Sequence, residues 1–133
     1  MKLMTKAIEK LLPKLYANEN KSASETKVPL MLFDPCGRLT FYCTEWDGGD
    51  ILFGYMVSPL GPDCDEMGYS SLRELSEVRN RFGLGIERDI HWNPNKALAE
   101  AVPALARKTP RPRRPKRPSR RREPSLHAAS VRP

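Results

Sequence analysis

The chain lacks any apolar run of about 18 residues, so its sequence predicts no membrane-spanning helix. The N-terminus resembles the start of a signal peptide, but Glu9 and Lys10 interrupt the apolar stretch and no small-residue cleavage site follows. We therefore expect a cytoplasmic protein. The 3 cysteines are an odd number at irregular spacings, which argues against a disulfide framework.

The C-terminal end has almost no acidic, aromatic or glycine residues. Residues 103–133 carry 11 Lys and Arg against 1 Asp or Glu, a net charge of +10, whereas residues 1–102 carry 12 against 15, a net of −3. All 8 glycines and every aromatic residue precede residue 93, while 7 of the 13 prolines lie from Pro103 onward. The sequence therefore predicts a folded domain over 1–102 and a disordered Pro/Arg-rich tail over 103–133.

A β-hairpin and a third strand are the clearest local predictions. Residues 28–33 (VPLMLF) are apolar, residues 38–46 alternate, and Asp34-Pro35-Cys36-Gly37 between them fits a type I turn. Residues 51–57 (ILFGYMV) predict the third strand. Gly54 within it indicates a bulge or a close approach by another element.

The remaining elements predict an α+β fold with a small antiparallel sheet of about four strands and two or three short helices. Ser71 and Glu74 form a capping-box pattern at the start of a helix. Pro13 should kink or end the first helix near Leu12. The other predicted elements are a helix from 5 to about 16, loops over 17–27, 45–50 and 58–68, a strand over 87–92 and a helix over 93–102.

Three segments resemble a known family when taken together: MTKAIEKLLPKLYANE, TFYCTEWDG and GYSSLRELSEVRNRFGLGIERDIHWNP. They resemble the bacterial family of unknown function DUF2958 over about residues 1–100, most densely in GYSSLREL and IERDIH. The resemblance implies a small α+β domain carried by plasmids and integrative elements, among genes for conjugation, antirestriction and partition. It implies no established activity, although some relatives are labelled single-stranded DNA endonucleases.

The basic tail is the strongest functional signal. Its excess positive charge should attract a polyanion, because each phosphate that it neutralises releases counterions. The tail has no aromatic residue for base stacking, so its binding should be nearly independent of sequence. The residues predicted to bind nucleic acid are Arg111, Arg113, Arg114, Lys116, Arg117, Arg120, Arg121 and Arg122.

Two other interpretations of the tail stay open. Runs of Arg, Pro, Ala and Ser also arise when GC-rich DNA is read in a shifted frame, which would make the tail an idle extension. Pro112, Pro115 and Arg117 fit the pattern of a proline-rich peptide ligand. Together with Pro118, these prolines recur every third residue, which is the period of a polyproline II helix.

The predicted fourth strand holds the candidate catalytic residues Glu87, Asp89 and His91, which alternate and should share one face. Such residues bind divalent metals in nucleases, where the metal stabilises the attacking and leaving oxygens. Further carboxylates could come from the acidic loop, at Glu45, Asp47 and Asp50. The alternative is the solvated face of an antiparallel strand.

No cofactor or resident metal is predicted. The cysteines and His91 could form a zinc site, but their separations of 6, 20 and 26 intervening residues lack the close ligand pairs typical of zinc. Buried free cysteine is the alternative, and Cys43 shares its parity with Leu39 and Phe41. The aromatic residues that could form a stacking surface, or pack in the core instead, are Tyr42, Trp46, Tyr55 and Tyr69.

The sequence thus predicts an accessory or interaction protein of a mobile element. Its partner would be nucleic acid, bound non-specifically through the tail, or an unidentified protein. One alternative is a metal-dependent single-stranded DNA endonuclease, the only case in which a divalent metal is required. Another is an anti-defence protein whose acidic domain contacts a host protein. No P-loop, zinc-protease motif or nucleophile elbow is present, so the sequence names no reaction.

Overall fold

The computed structural model describes residues 1–106, which form an α+β fold. The strands are β1 (Leu30–Phe33), β2 (Thr40–Trp46), β3 (Ile51–Val57), β4 (Glu66–Ser71) and β5 (Glu87–Arg88). The helices are α1 (Lys6–Glu9), α2 (Leu72–Glu77) and α3 (Leu98–Ala101), with 3-10 helices at Pro62–Cys64 and Pro103–Ala106. The strands pair antiparallel in one sheet of order β4-β3-β2-β1-β5, which confirms the predicted class but adds one strand to the predicted four.

The predicted hairpin forms between β1 and β2. The Gly37 amide donates to the Asp34 carbonyl at 3.3 Å, which is the hydrogen bond that closes a four-residue β-turn. The Asp34 carboxylate also accepts the Cys36 amide at 2.9 Å. Phe33 then pairs with Thr40, so the turn sets the register of the two strands.

Gly54 makes the predicted close approach at the centre of the sheet, whereas the bulge lies in the partner strand. Gly54 lies opposite Cys43 in β2, and β2 bulges between Cys43 and Glu45. A Cβ added at Gly54 would lie only 2.0 Å from the Tyr42 carbonyl oxygen. Strand β3 therefore approaches the bulged strand more closely than any residue with a side chain allows.

The sheet is covered on both faces, because side chains alternate along β2. Phe41 and Cys43 face one side, and Tyr42 faces the other. The N-terminal segment and α2 cover the first face, where the buried cluster is Leu3, Met4, Leu12, Leu30, Leu32, Phe41, Cys43, Leu52, Leu75 and Ile86. Part of the loop before β1 and α3 cover the second face, where the buried cluster is Ala23, Val28, Leu98 and Ala99.

Strand β4 corrects the predicted loop over 58–68. Its six residues pair with β3 from Ser71 opposite Ile51 to Glu66 opposite Met56. Gly68 and the nearby Asp and Pro residues are typical of a loop, which is why the sequence pattern failed here. Pairing with a neighbouring strand outweighs these weak local preferences.

The strand predicted over 87–92 ends early, at Arg88. The Asp89 carboxylate accepts the His91 amide at 2.9 Å, and the Asp89 carbonyl accepts the Trp92 amide at 3.2 Å. These two bonds turn the chain away from β1. An aspartate that bonds an amide two residues later competes with strand pairing in this way.

The helices begin as predicted at two of three sites but are shorter. The Thr5 and Ser71 hydroxyls accept amides at the starts of α1 and α2, from Ile8 at 3.3 Å and Glu74 at 3.1 Å. The predicted start of the last helix, at residue 93, is wrong. A turn occupies the positions after Asn93, and α3 begins at Leu98.

The described fold continues past residue 102. Pro103–Ala106 form a 3-10 helix in which Leu105 packs against the second cluster. No helix within residues 1–106 is long and apolar enough to cross a membrane. The eight predicted nucleic-acid-binding residues lie outside the described residues, as does the tail predicted to be disordered, from residue 107 onward.

Candidate functional site

The three candidate catalytic residues lie at the β5 edge of the sheet. Glu87 is in β5 and half-buried, Asp89 is in the following turn, and His91 is exposed. The strand ends at Arg88, so the prediction that all three residues share one face of a strand is wrong. Within residues 1–106 no three His, Cys, Asp or Glu side chains are grouped as metal ligands. The structure therefore does not assemble Glu87, Asp89 and His91 into a metal centre.

Two of the additional acidic residues stabilise chain turns. The Asp47 carboxylate accepts the amides of Gly49 and Ile51 at 2.8 and 3.0 Å, which closes the β2–β3 connection. The Asp50 carboxylate accepts the Ser71 hydroxyl at 2.5 Å and the Arg73 amide at 2.7 Å. An acceptor at this point satisfies amides that the first turn of a helix leaves unpaired. Asp50 therefore fastens the start of α2.

The third acidic residue, Glu45, is fully buried with 0% of its surface exposed. It belongs to β2, which corrects the loop predicted over 45–50. Its two carboxylate oxygens accept the amides of Tyr16 and Asn18 at 2.8 and 2.9 Å. Tyr16 has a φ of +71°, a conformation that non-glycine residues rarely adopt. Glu45 thus fixes an unusual backbone turn against the sheet.

Replacing Glu45 with Gln is expected to destabilise the protein by about 1.5–3 kcal/mol. The Gln side chain has only one acceptor oxygen. The backbone N–H of either Tyr16 or Asn18 would therefore face the side-chain NH₂ group in place of an oxygen. Urea unfolding followed by circular dichroism measures the change. The loss should appear as a lower midpoint with an unchanged slope.

Glu25→Gln is the matched control, because it makes the same chemical change at an exposed carboxylate. Glu25 also accepts an amide, that of Ser22 at 3.0 Å, but in contact with solvent. Its unfolding midpoint should stay close to that of the unmodified protein. Equal midpoints for the two variants would contradict the role assigned to Glu45.

An ion pair joins two loops at one end of the sheet. The Arg38 guanidinium bonds both Asp65 oxygens at 2.7 and 2.8 Å and donates to the Ser58 carbonyl at 2.6 Å. Its hydrogen bond to Asp65 lowers the pKa of that carboxyl, and the Ser58 amide adds to the effect. This arrangement holds the loop after β3 beside the start of β2.

The cysteines are separate free thiols. Cys36 and Cys64 are exposed, whereas Cys43 is fully buried and its pKa is raised by that burial. The buried-cysteine interpretation is confirmed for Cys43 and wrong for the other two. Cys36 is exposed because it occupies the β1–β2 turn, and Cys64 because it ends a surface 3-10 helix.

The aromatic residues proposed for stacking are mainly packing residues. Tyr42 and Tyr55 pack against the second cluster, and Trp46 packs against the first. The Tyr69 ring lies 4.9 Å from that of Phe53, which is fully buried in the sheet. Their partial burial favours the core interpretation over an open stacking surface.

A small hairpin after α2 presents an exposed aromatic residue, Phe82, that the sequence predictions do not include. Phe82 is 63% exposed and lies between Arg81 and Gly83. Two arginines flanking a polar residue, followed by Phe-Gly, were the available signal.

The chain matches a family model described as "Protein of unknown function (DUF2958)" over residues 3–110. The match spans the whole described fold apart from its first two residues, and more than half of the chain. No curated protein matched the chain. No solved structure matched it either.

Proposed function

The chain belongs to the DUF2958 family. We propose that it is an accessory or interaction protein of a mobile element and that its basic tail binds nucleic acid. The mobile-element setting comes from the family resemblance. The nucleic-acid role comes from the chain's own charge. In this proposal the folded domain supplies a contact and the tail supplies affinity.

The observation that carries the proposal is the separation of charge along the chain. Residues 1–102 have a net charge of −3 and residues 103–133 have +10. A net negative domain is repelled by phosphates at long range, so attraction has to come from the tail. Eight of the tail's cations lie within residues 111–122, a density suited to neighbouring phosphates on one duplex.

The use of the domain's carboxylates favours binding over metal-dependent cleavage. A nuclease centre needs carboxylates that converge on a metal. Here Asp47 and Asp50 accept amides at a turn and a helix start, and Glu45 accepts two backbone amides in the interior. Asp89 accepts the amide of His91 in the same way.

The test replaces the eight predicted nucleic-acid-binding residues of the tail with Gln in the full-length chain. We expect this tail variant to lose at least about 10³-fold in affinity for duplex DNA at low salt, because most counterion release is removed. Fluorescence anisotropy with a labelled duplex measures the affinity. The unmodified chain should not cleave single-stranded DNA in Mg²⁺ or Mn²⁺.

Two outcomes would contradict the proposal in different directions. Metal-dependent cleavage that persists in the tail variant but is lost in Glu87→Gln or Asp89→Asn would favour the endonuclease. An unmodified chain that does not bind DNA would point to a protein partner, as in the anti-defence alternative.

A further inference from the structure

Residues 79–85 form a compact hairpin, called here the Arg-Phe hairpin. Arg79 and Gly85 pair as an isolated antiparallel bridge at its base. Above them the Asn80 amide donates to the Leu84 carbonyl at 2.9 Å, and the Gly83 amide donates to the Asn80 carbonyl at 2.9 Å. The segment between α2 and β5 is therefore a defined turn.

Asn80 makes the Arg-Phe hairpin rigid and anchors it to the body of the domain. Its side-chain oxygen accepts the amides of Phe82 and Leu84 at 2.9 and 3.1 Å. Its side-chain NH₂ donates to the Asp34 carboxylate at 2.9 Å, which lowers the pKa of Asp34. Gly83 has a φ of +77°, which suits glycine at the turn. The tip is thus held in one conformation before any ligand arrives.

The side chains at the tip of the Arg-Phe hairpin are apolar and exposed. Phe82 is 63% exposed and Leu84 is 45% exposed. The Arg81 guanidinium lies 5.2 Å from the centroid of the Phe82 ring, within the range of a cation–π contact. Since the guanidinium lies over one face of the ring, a base would stack on the opposite face, with the cation close to its phosphate.

The residues of the Arg-Phe hairpin carry only positive charge, although Glu77 and Glu87 lie just outside it and the Asp34 carboxylate contacts Asn80. Residues 78–86 contain Arg79 and Arg81 and no Asp or Glu, within a domain of net charge −3. Arg79 donates to the carbonyls of Ser76 and Val78 at 2.9 and 2.8 Å, which holds its guanidinium in place beside α2. A fixed guanidinium loses less conformational entropy on binding a phosphate.

We propose that the Arg-Phe hairpin is a contact for single-stranded nucleic acid, with Phe82 stacking on one base and Arg79 and Arg81 facing the adjacent phosphates. This inference rests on the proposed function, because the tail brings the strand to the domain. It adds a preference that the tail lacks, since the tail has no aromatic residue. A paired duplex keeps its bases stacked on each other, so Phe82 contributes little to duplex binding.

The test compares Phe82→Ala with the unmodified full-length chain on a labelled oligothymidine and on a duplex. At about 150 mM salt, where phosphate contacts are weakened, the variant should bind oligothymidine about 5- to 150-fold more weakly. Its duplex affinity should change less than about twofold, because the phosphate contacts remain. Arg81→Gln should weaken both complexes.

Leu60→Ala is the matched control, because Leu60 is an exposed large apolar residue at 84% exposure in a different loop. It should leave both affinities unchanged. Phe82→Trp should retain the preference for single strands, and Phe82→Leu should lose it, because leucine has no π face. Because the Phe82 side chain is exposed, these variants should fold as the unmodified chain does, and a circular dichroism spectrum checks each variant.

The outcomes separate this inference from the proposed function. If Phe82→Ala leaves oligothymidine binding unchanged while the tail variant loses it, the inference is wrong and the tail proposal stands. If Phe82→Leu binds oligothymidine as well as the unmodified chain, the contact is only apolar and stacking is wrong. If the unmodified chain binds neither probe, the proposed function fails and this inference fails with it.

Discussion

Raising the salt concentration from about 50 to about 200 mM should weaken duplex binding by the full chain roughly 10³- to 10⁵-fold. The expectation follows from roughly six to ten phosphates neutralised by the tail, each contributing about −0.9 to the slope of log affinity against log salt. Anisotropy titrations at several salt concentrations give that slope. Because no aromatic residue lies beyond residue 92, the tail should show the same slope on duplexes of different sequence.

The tail variant provides the control for this salt dependence. Three cations remain in it, at Arg107, Lys108 and Arg132, so its slope should not be steeper than about −3. A full-chain slope as shallow as that of the variant would show that the tail does not bind phosphates. The charge separation along the chain would then need another explanation.

Replacing Gly54 with Ala should destabilise the domain by at least about 3 kcal/mol, at the upper end of overpacking effects. The added methyl would lie 2.0 Å from the Tyr42 carbonyl oxygen and 2.8 Å from the Cys43 Cα. Both atoms belong to the backbone of β2, so a change of side-chain rotamer cannot relieve the contact. Small domains are stable by only about 5–15 kcal/mol, so the variant should unfold at a much lower temperature or show no cooperative unfolding transition.

Gly68→Ala is the control, because Gly68 is the β4 residue directly opposite Gly54. A Cβ at Gly68 would meet no atom within 4 Å, so the substitution should change stability by less than about 1 kcal/mol. Thermal unfolding followed by circular dichroism compares the two variants. Similar melting temperatures would contradict the close approach of β3 to the bulged strand.

The local signals that predicted the fold correctly are those whose chemistry is complete within a few residues. The Asp34–Gly37 turn fixes a hairpin, and the Ser71 hydroxyl caps α2, without help from the rest of the chain. Gly54 also carried its meaning in the sequence, because a glycine within an apolar strand indicates a close approach. The α+β class followed from the order of these elements.

The features that sequence reasoning missed depend on contacts between distant residues. Strand β4 exists because β3 pairs with it, although Gly68 and Glu66 are poor strand formers. The sequence places Glu45 in an acidic loop as a possible metal-binding carboxylate, because its acceptor role depends on amides 27 and 29 residues earlier in the chain. Alternation alone could not reveal the bulge that buries both Thr44 and Glu45.

The candidate sites show the same division between local and distant information. Glu87, Asp89 and His91 alternate in the sequence, but the Asp89 side chain ends the strand that would have aligned them. The Arg-Phe hairpin could have been recognised from Arg-Asn-Arg-Phe-Gly, since Asn and Gly favour a turn. Its exposure could not, because that depends on how α2 and β5 place the segment.

The three cysteines give this molecule a built-in chemical probe of its own folding. Cys36 and Cys64 are open to a thiol reagent in the native state, whereas the sulfur of Cys43 lies in the first cluster beneath the β2 bulge. Burial of that thiol ties its reactivity to opening of the central strands, and not to motion at the surface. Two labels per chain therefore mark a folded molecule, and a third marks one whose sheet has separated.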